Sequence, residues 1–148
     1  MNLRLNDTFS QQWYSNIMEM NYCITFKLIK NKIKFEKYLM KLDITERINL
    51  CKFRCRNSKI PVVVQGYAYL NIPYENRICT FCNQNEIGDE YHYVMRCHYF
   101  KNSREKYIEN VFWINPSYNN FSKLFQSKDA GVLRNLAKFI KNINRKFT

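Results

Sequence analysis

Cys79, Cys82, His92 and Cys97 stand at the spacing C-x2-C-x9-H-x4-C within one short stretch, Arg77 to Cys97. Thiolate sulfur and imidazole nitrogen are the donors of structural zinc sites, and four of them fill a tetrahedral shell. A C-x2-C pair grips one ion from a tight turn, because both sulfurs point the same way across it. A following His and Cys then close the tetrahedron. Unligated thiols in a small reduced core are the competing reading; a complete ligand set in so short a span argues against it. His98 adjoins Cys97 and is an alternative fourth ligand, but neighbouring residues point in different directions, so one of the two reaches the metal. A catalytic zinc would need an open position and a general base, for which Glu90 is near in sequence. Four protein ligands predict a closed, structural Zn2+ site instead.

The elements that must position these ligands read as helices. Gly and Pro number three each in 148 residues, too few for a turn-rich β fold. The fold class expected is mainly α, a helical domain with an embedded zinc knuckle and little β structure. Three parts follow: 1–74 helical, 75–100 the knuckle, 101–148 basic helices, together one unit by length. Within the knuckle, Asp89 is a natural N-cap with Glu90 in the first turn. His92 then falls near the first turn, and Cys97 at or just past the helix end.

Elsewhere, residues 8–21 form a helix capped by Asp7 or Thr8, with Phe9, Trp13, Ile17 and Met20 on one face, read as core in preference to a base-stacking platform. Residues 24–42 are lysine-rich, with Lys27, Lys30, Lys32, Lys34, Lys37 and Lys41 against the single acid Glu36, and Phe35, Leu39 and Leu42 supply a helical apolar face toward the end. Those lysines admit two readings, phosphate contact or a solvated face. A helix over 43–57 places Ile44, Ile48, Cys51 and Cys55 on its apolar line, and Pro61 stops it. Cys51 and Cys55 share a face, but no histidine is near, so core is preferred to metal. The stretch from Pro61 to Pro73 is irregular, with a short strand and a turn at Gly66 expected. A helix spans 99–112, with Phe100, Tyr107, Ile108 and Val111 inward and Lys101, Arg104 and Lys106 on or near the other side. A short helix covers 121–125. The last helix begins near Asp129, with Leu133, Leu136, Ile140, Ile143 and Phe147 beside a basic stripe of Arg134, Lys138, Lys141 and Arg145.

The net charge is +12. That excess implies a polyanionic partner, nucleic acid first, with a merely soluble basic protein as the plain alternative. Residues 1–10 lack the apolar core of a signal peptide, and no run approaches a membrane span. An intracellular, reducing location follows, nucleus or cytoplasm, where close cysteines favour metal over disulfide. No membrane partner and no small-molecule substrate are expected. Two-metal phosphoryl chemistry needs closely placed carboxylates, but no Asp-Asp pair occurs, and the aspartates are only four, Asp7, Asp43, Asp89 and Asp129. No Gly-rich phosphate loop occurs. An enzyme is therefore not expected.

The run from Asn76 to Phe100 resembles the zinc-binding segment near the C-terminus of reverse transcriptases from LINE-type, non-LTR retrotransposons. The resemblance rests on Arg77, Cys79, Cys82, Glu90, His92 and Cys97. Phe53-Arg54 with Pro61 upstream, and Arg104 and Tyr107 downstream, are similar to that region too. The resemblance implies a C-terminal piece of a retroelement polyprotein, lacking the polymerase catalytic domain, that grips template RNA or target DNA. On a zinc-stabilised nucleic-acid-binding module, Arg54, Arg56, Arg77, Arg96, Lys101 and Arg104 would contact phosphates. Phe81, Tyr91 and Tyr93 either stack on bases or pack around a small zinc core. RNA is favoured over DNA, because aromatic residues interleave with basic ones. The alternative is a zinc-stapled protein-interaction or structural domain without enzymatic activity.

Overall fold

The computed structural model describes residues 2–20, 24–30, 32–66 and 70–147. Nine α-helices occur among them: α1 (Asn2–Glu19), α2 (Ile24–Ile29), α3 (Tyr38–Lys41), α4 (Ile44–Arg54), α5 (Pro61–Val64), α6 (Lys101–Tyr107), α7 (Asn110–Trp113), α8 (Tyr118–Phe125) and α9 (Ala130–Asn144). No strand forms among the described residues; an isolated antiparallel bridge joins Ile78 to Ile87. The fold is thus mainly helical, as composition predicts. Cys23 lies outside the described residues.

The core is built on α9 lying along α4, with α6 and α8 against α9. Leu133, Leu136, Phe139, Ile140 and Ile143 are buried along α9, at the three- and four-residue steps of one helical face. Each contributes about 1.5–3 kcal/mol on burial. Asp129 caps α9 by accepting from the Gly131 and Val132 amides, and Ser117 caps α8 by accepting from Asn120. From α4 come Leu50 and Phe53, the latter stacked on Phe125 of α8 at 6.2 Å.

Several expectations are corrected. The helix predicted over 8–21 starts at Asn2, so Asp7 and Thr8 lie within it and cannot be its caps. Its stripe is not core. Phe9 is 63% exposed and Trp13 and Ile17 are half-buried, because α1 takes no extensive part in packing among the described residues. The 24–42 stretch breaks into α2 and α3, leaving Phe35 between them 66% exposed. On α4 the expected line is reversed. Ile44, Ile48, Cys51 and Cys55 face outward, while Glu46, Leu50, Phe53 and Arg54 are buried. Polar residues could take the inner face because each has partners there. Glu46 completes a capping box with Asp43 and pairs with Arg134, and Arg54 pairs with Glu36.

Nor does Pro61 end α4. A Schellman turn does so, with the Asn57 amide bonded to the Lys52 carbonyl and Arg56 at φ 56° where glycine is usual. Pro61 instead opens α5, in the first helical turn, where its missing N–H costs nothing. No strand forms in the described part of 61–73. Gly66 does sit in a turn, and a Cβ there would meet Arg77 Nη1 at 2.6 Å. The predicted 99–112 helix splits into α6 and α7 at Ile108 and Glu109. Ile108 is thereby buried, Val111 is 72% exposed, and Arg104 turns inward.

Candidate metal centre

The knuckle begins as a tight hairpin. The Cys79 amide bonds to the Glu86 carbonyl and the Gly88 amide to the Arg77 carbonyl, both at 2.8 Å. Asn85, at φ 54°, turns the chain between them. Gly88 permits the close return, since a Cβ there would meet the Tyr93 hydroxyl at 2.7 Å and the Cys79 backbone at 3.2 Å. The Phe81 amide, reaching back over the Cys-Thr-Phe-Cys turn, donates to Cys79 Sγ at 3.5 Å. Asp89 then caps the following helix, accepting from the His92 amide at 2.7 Å.

That helix is not an ordinary one. His92–Arg96 is wound as a π turn, closed by the Cys97 amide on the His92 carbonyl. In an α-helix, residues five apart lie about 140° apart around the axis. The wider turn brings Cys97 back beneath His92, so both face one point. Nothing in the hydrophobic pattern announced it; the five-residue spacing of His92 and Cys97 was the available signal. π turns are uncommon and often mark functional sites.

The four predicted ligands meet. Their donor atoms all lie within 4.8 Å of one another. Cys79 and Cys97 sulfurs are 3.8 Å apart, and Cys82 Sγ is 3.3 Å from His92 Nε2. A tetrahedral zinc with bonds of about 2.3 Å to sulfur and about 2.0 Å to nitrogen sets its ligands roughly 3.5–3.8 Å apart. The cluster is therefore suited to coordinate a structural Zn2+, and three thiols with one imidazole are a donor set that zinc favours. His98 is not part of it. It is exposed, and its ring lies 3.4 Å from the Gln84 amide nitrogen.

Surrounding groups fix the ligands. Glu86 Oε2 lies 2.9 Å from His92 Nδ1, which leaves Nε2 turned to the sulfurs as a donor. Arg96 holds the other Glu86 oxygen at 2.6 Å. The contact between the Cys79 and Cys97 sulfurs lowers the Cys79 thiol, and the same contact, with burial, pushes Cys97 upward. A divalent cation among the donors relieves that conflict, because it favours thiolate at each sulfur.

Glu90 faces elsewhere. It accepts from Thr25 of α2 at 3.0 Å and lies 3.7 Å from Arg56 Nε, clamping the knuckle to α2 and the end of α4. Burial first of all raises its carboxyl to about 7. The three aromatic residues pack around the centre. Tyr93 is fully buried, Phe81 stacks on Tyr99 at 4.8 Å, and Tyr91 stacks on Tyr118 at 4.3 Å.

The six cations named for phosphate contact are scattered in role. Arg104 is buried and donates to the carbonyls of Val94, Tyr93 and Cys97 at 2.6, 3.2 and 3.0 Å. It thus satisfies backbone acceptors around the π turn, and desolvation lowers it to about 10 without discharging it at neutral pH. Arg54 is buried against Glu36 and the Tyr38 ring. Arg56 pairs with Glu90 and lies over Tyr74. Arg77 donates to the Ile72 and Val62 carbonyls. Arg96 and Lys101 are exposed, the former bound to Glu86.

Comparison with known families, curated proteins and solved structures finds no match to this chain. What fold and site define together is a small, mainly helical domain with a Cys-Cys-His-Cys zinc-knuckle cluster of generic type.

Proposed function

We propose that the chain is a zinc-stapled binding module without enzymatic activity, in which the metal keeps a surface in shape and meets no substrate. The observation that carries this reading is the enclosure of the centre: Cys79, His92 and Cys97 are 5%, 2% and 0% exposed, and Cys82, at the turn, is half-buried. A site closed by four protein ligands has no open position for a reacting group. The arginines around it bind carbonyls and carboxylates of the protein itself, which suits a staple.

Two partner classes each have an observation in their favour. A protein partner is favoured by apolar side chains left outside, Phe9 on α1 and Met40, Ile44 and Ile48 around α3 and α4. A nucleic acid is favoured by the net charge of +12, which attracts polyanions. No helix among the described residues is long and apolar enough to cross a membrane. The finer reading, the C-terminal region of a LINE-type reverse transcriptase, rests on the ligand spacing with Arg77 before it. A polymerase palm encoded in the same reading frame would support it, and an unrelated upstream domain would remove it.

The deciding experiment measures zinc per chain, then RNA binding before and after chelation, then affinity purification with nuclease treatment. One zinc per chain is expected. A partner protein that survives nuclease supports the interaction reading; RNA binding that falls steeply with salt supports the nucleic-acid reading. A zinc content well below one overturns the staple.

A further inference from the structure

Away from the metal, the chain between α2 and α3 faces the corner between α8 and α9 across a cleft of about 390 Å³. Ile29, Phe125 and Leu133, all buried, give it an apolar lining. Lys32, Lys34, Lys37 and Lys41 line it from one segment and Lys128 from the other. Lys30 and Arg54 also line it, but both are bound to Glu36. The other five lysines have no carboxylate partner among the described residues. Arg54 is 4% exposed, and its Nε is buried without an acceptor. Phe35 lines the same cleft with 66% of its surface open.

Packing does not account for this set. Like charges around one concavity repel one another and destabilise the folded chain. Only Lys41, in the last turn of α3, has a helix end to favour it. An exposed ring amid unpaired ammonium groups is the combination by which proteins hold single strands: cations follow the phosphates, and the ring stacks on a base. A duplex keeps its bases stacked, so only a single strand offers that face. The volume falls in the range of sites that enclose one small-molecule-sized unit. Resting on nucleic acid as the partner class, we infer that this cleft grips a nucleotide unit of a single-stranded nucleic acid, its base against Phe35 and its phosphates on Lys32, Lys34 and Lys37.

The test uses the full zinc-loaded chain and a fluorescent oligouridylate, titrated across a salt series. Lys32→Glu, Lys34→Glu and Lys37→Glu together change only exposed side chains. The triple variant should weaken binding at least tenfold and flatten the log–log salt slope by about 2, at about 0.7 per phosphate contact. Phe35→Ala should weaken it about 5- to 100-fold with the slope unchanged. A charge-matched control, Lys52→Glu with Lys59→Glu and Lys106→Glu, lies outside the cleft. Circular dichroism and zinc content confirm that each variant folds. If wild type binds and the cleft triple loses no more than the control, the cleft assignment is overturned while the nucleic-acid reading stands. If wild type fails to bind even at low salt, both fall. Displacement of the oligomer by ATP or inorganic phosphate at equal nucleotide concentration makes the cleft a small-anion site and overturns the strand assignment.

Discussion

Glu86 belongs to no ligand set, yet its carboxylate decides which nitrogen His92 offers. Glu86→Gln keeps the shape and loses the charge that holds the Nδ1 proton. Metal affinity should fall about 10- to 100-fold, measured by chelator competition, with helicity unchanged. Cys82→Ser should be harsher: structural zinc in small peptides supplies about 10–16 kcal/mol, so the zinc per chain should drop and residues 77–98 should lose hydrogen-exchange protection. Arg104→Lys should destabilise the chain by about 2–4 kcal/mol in denaturant titration, since an ammonium cannot serve three carbonyls fanned around a planar fork. The four ligands were legible in the sequence because local spacing alone brings them together. Arg54 and Arg104 were not legible. Where a guanidinium ends depends on Glu36 and on the carbonyls of Tyr93, Val94 and Cys97, acceptors whose position only the tertiary fold sets.

At the level of elements, α9 was readable almost to the residue, because its apolar stripe and the Asp129 cap agree. For α4 the same reading chose the wrong face. Ile44 and Ile48 outvote Glu46 and Arg54 by hydropathy, and paired charges on the inner face are invisible to a periodicity argument. The π turn was hidden because no propensity scale encodes it. It has less favourable geometry than an α turn and is held by Arg104 on its carbonyls; a zinc ion joining His92 to Cys97 would hold it further. Chelation should therefore raise amide exchange across 77–98, most of all in the π turn, while the amides of α9, on the buried α4 face, stay protected. Uniform loss of protection would mean that the knuckle and the α4–α9 core open as one unit.

Across the whole molecule, charge is the dominant liability. Lys and Arg number 24 against 12 acids. Adding sodium chloride from about 20 to 300 mM should raise the melting temperature, because salt screens self-repulsion over distances beyond about 10 Å. One acid works against that excess. Burial opposes ionisation of Glu36, but Lys30 and Arg54 beside it win and lower its carboxyl below the ordinary range. Its contribution is thus fully present above the ordinary carboxyl pKa and is lost as pH falls through the lowered one. Acid titration of stability should be shallower in Glu36→Gln over that window.

Gly66 draws a different kind of consequence. It is exposed and touches no metal ligand, so a saturation-mutagenesis map scored on surface position would mark it as permissive. Every larger residue there would have to displace the guanidinium of Arg77, which is tied to Ile72 and Val62 at the doorway of the hairpin. Intolerance at 66, relieved when Arg77 is shortened as well, would be the genetic signature of that arrangement.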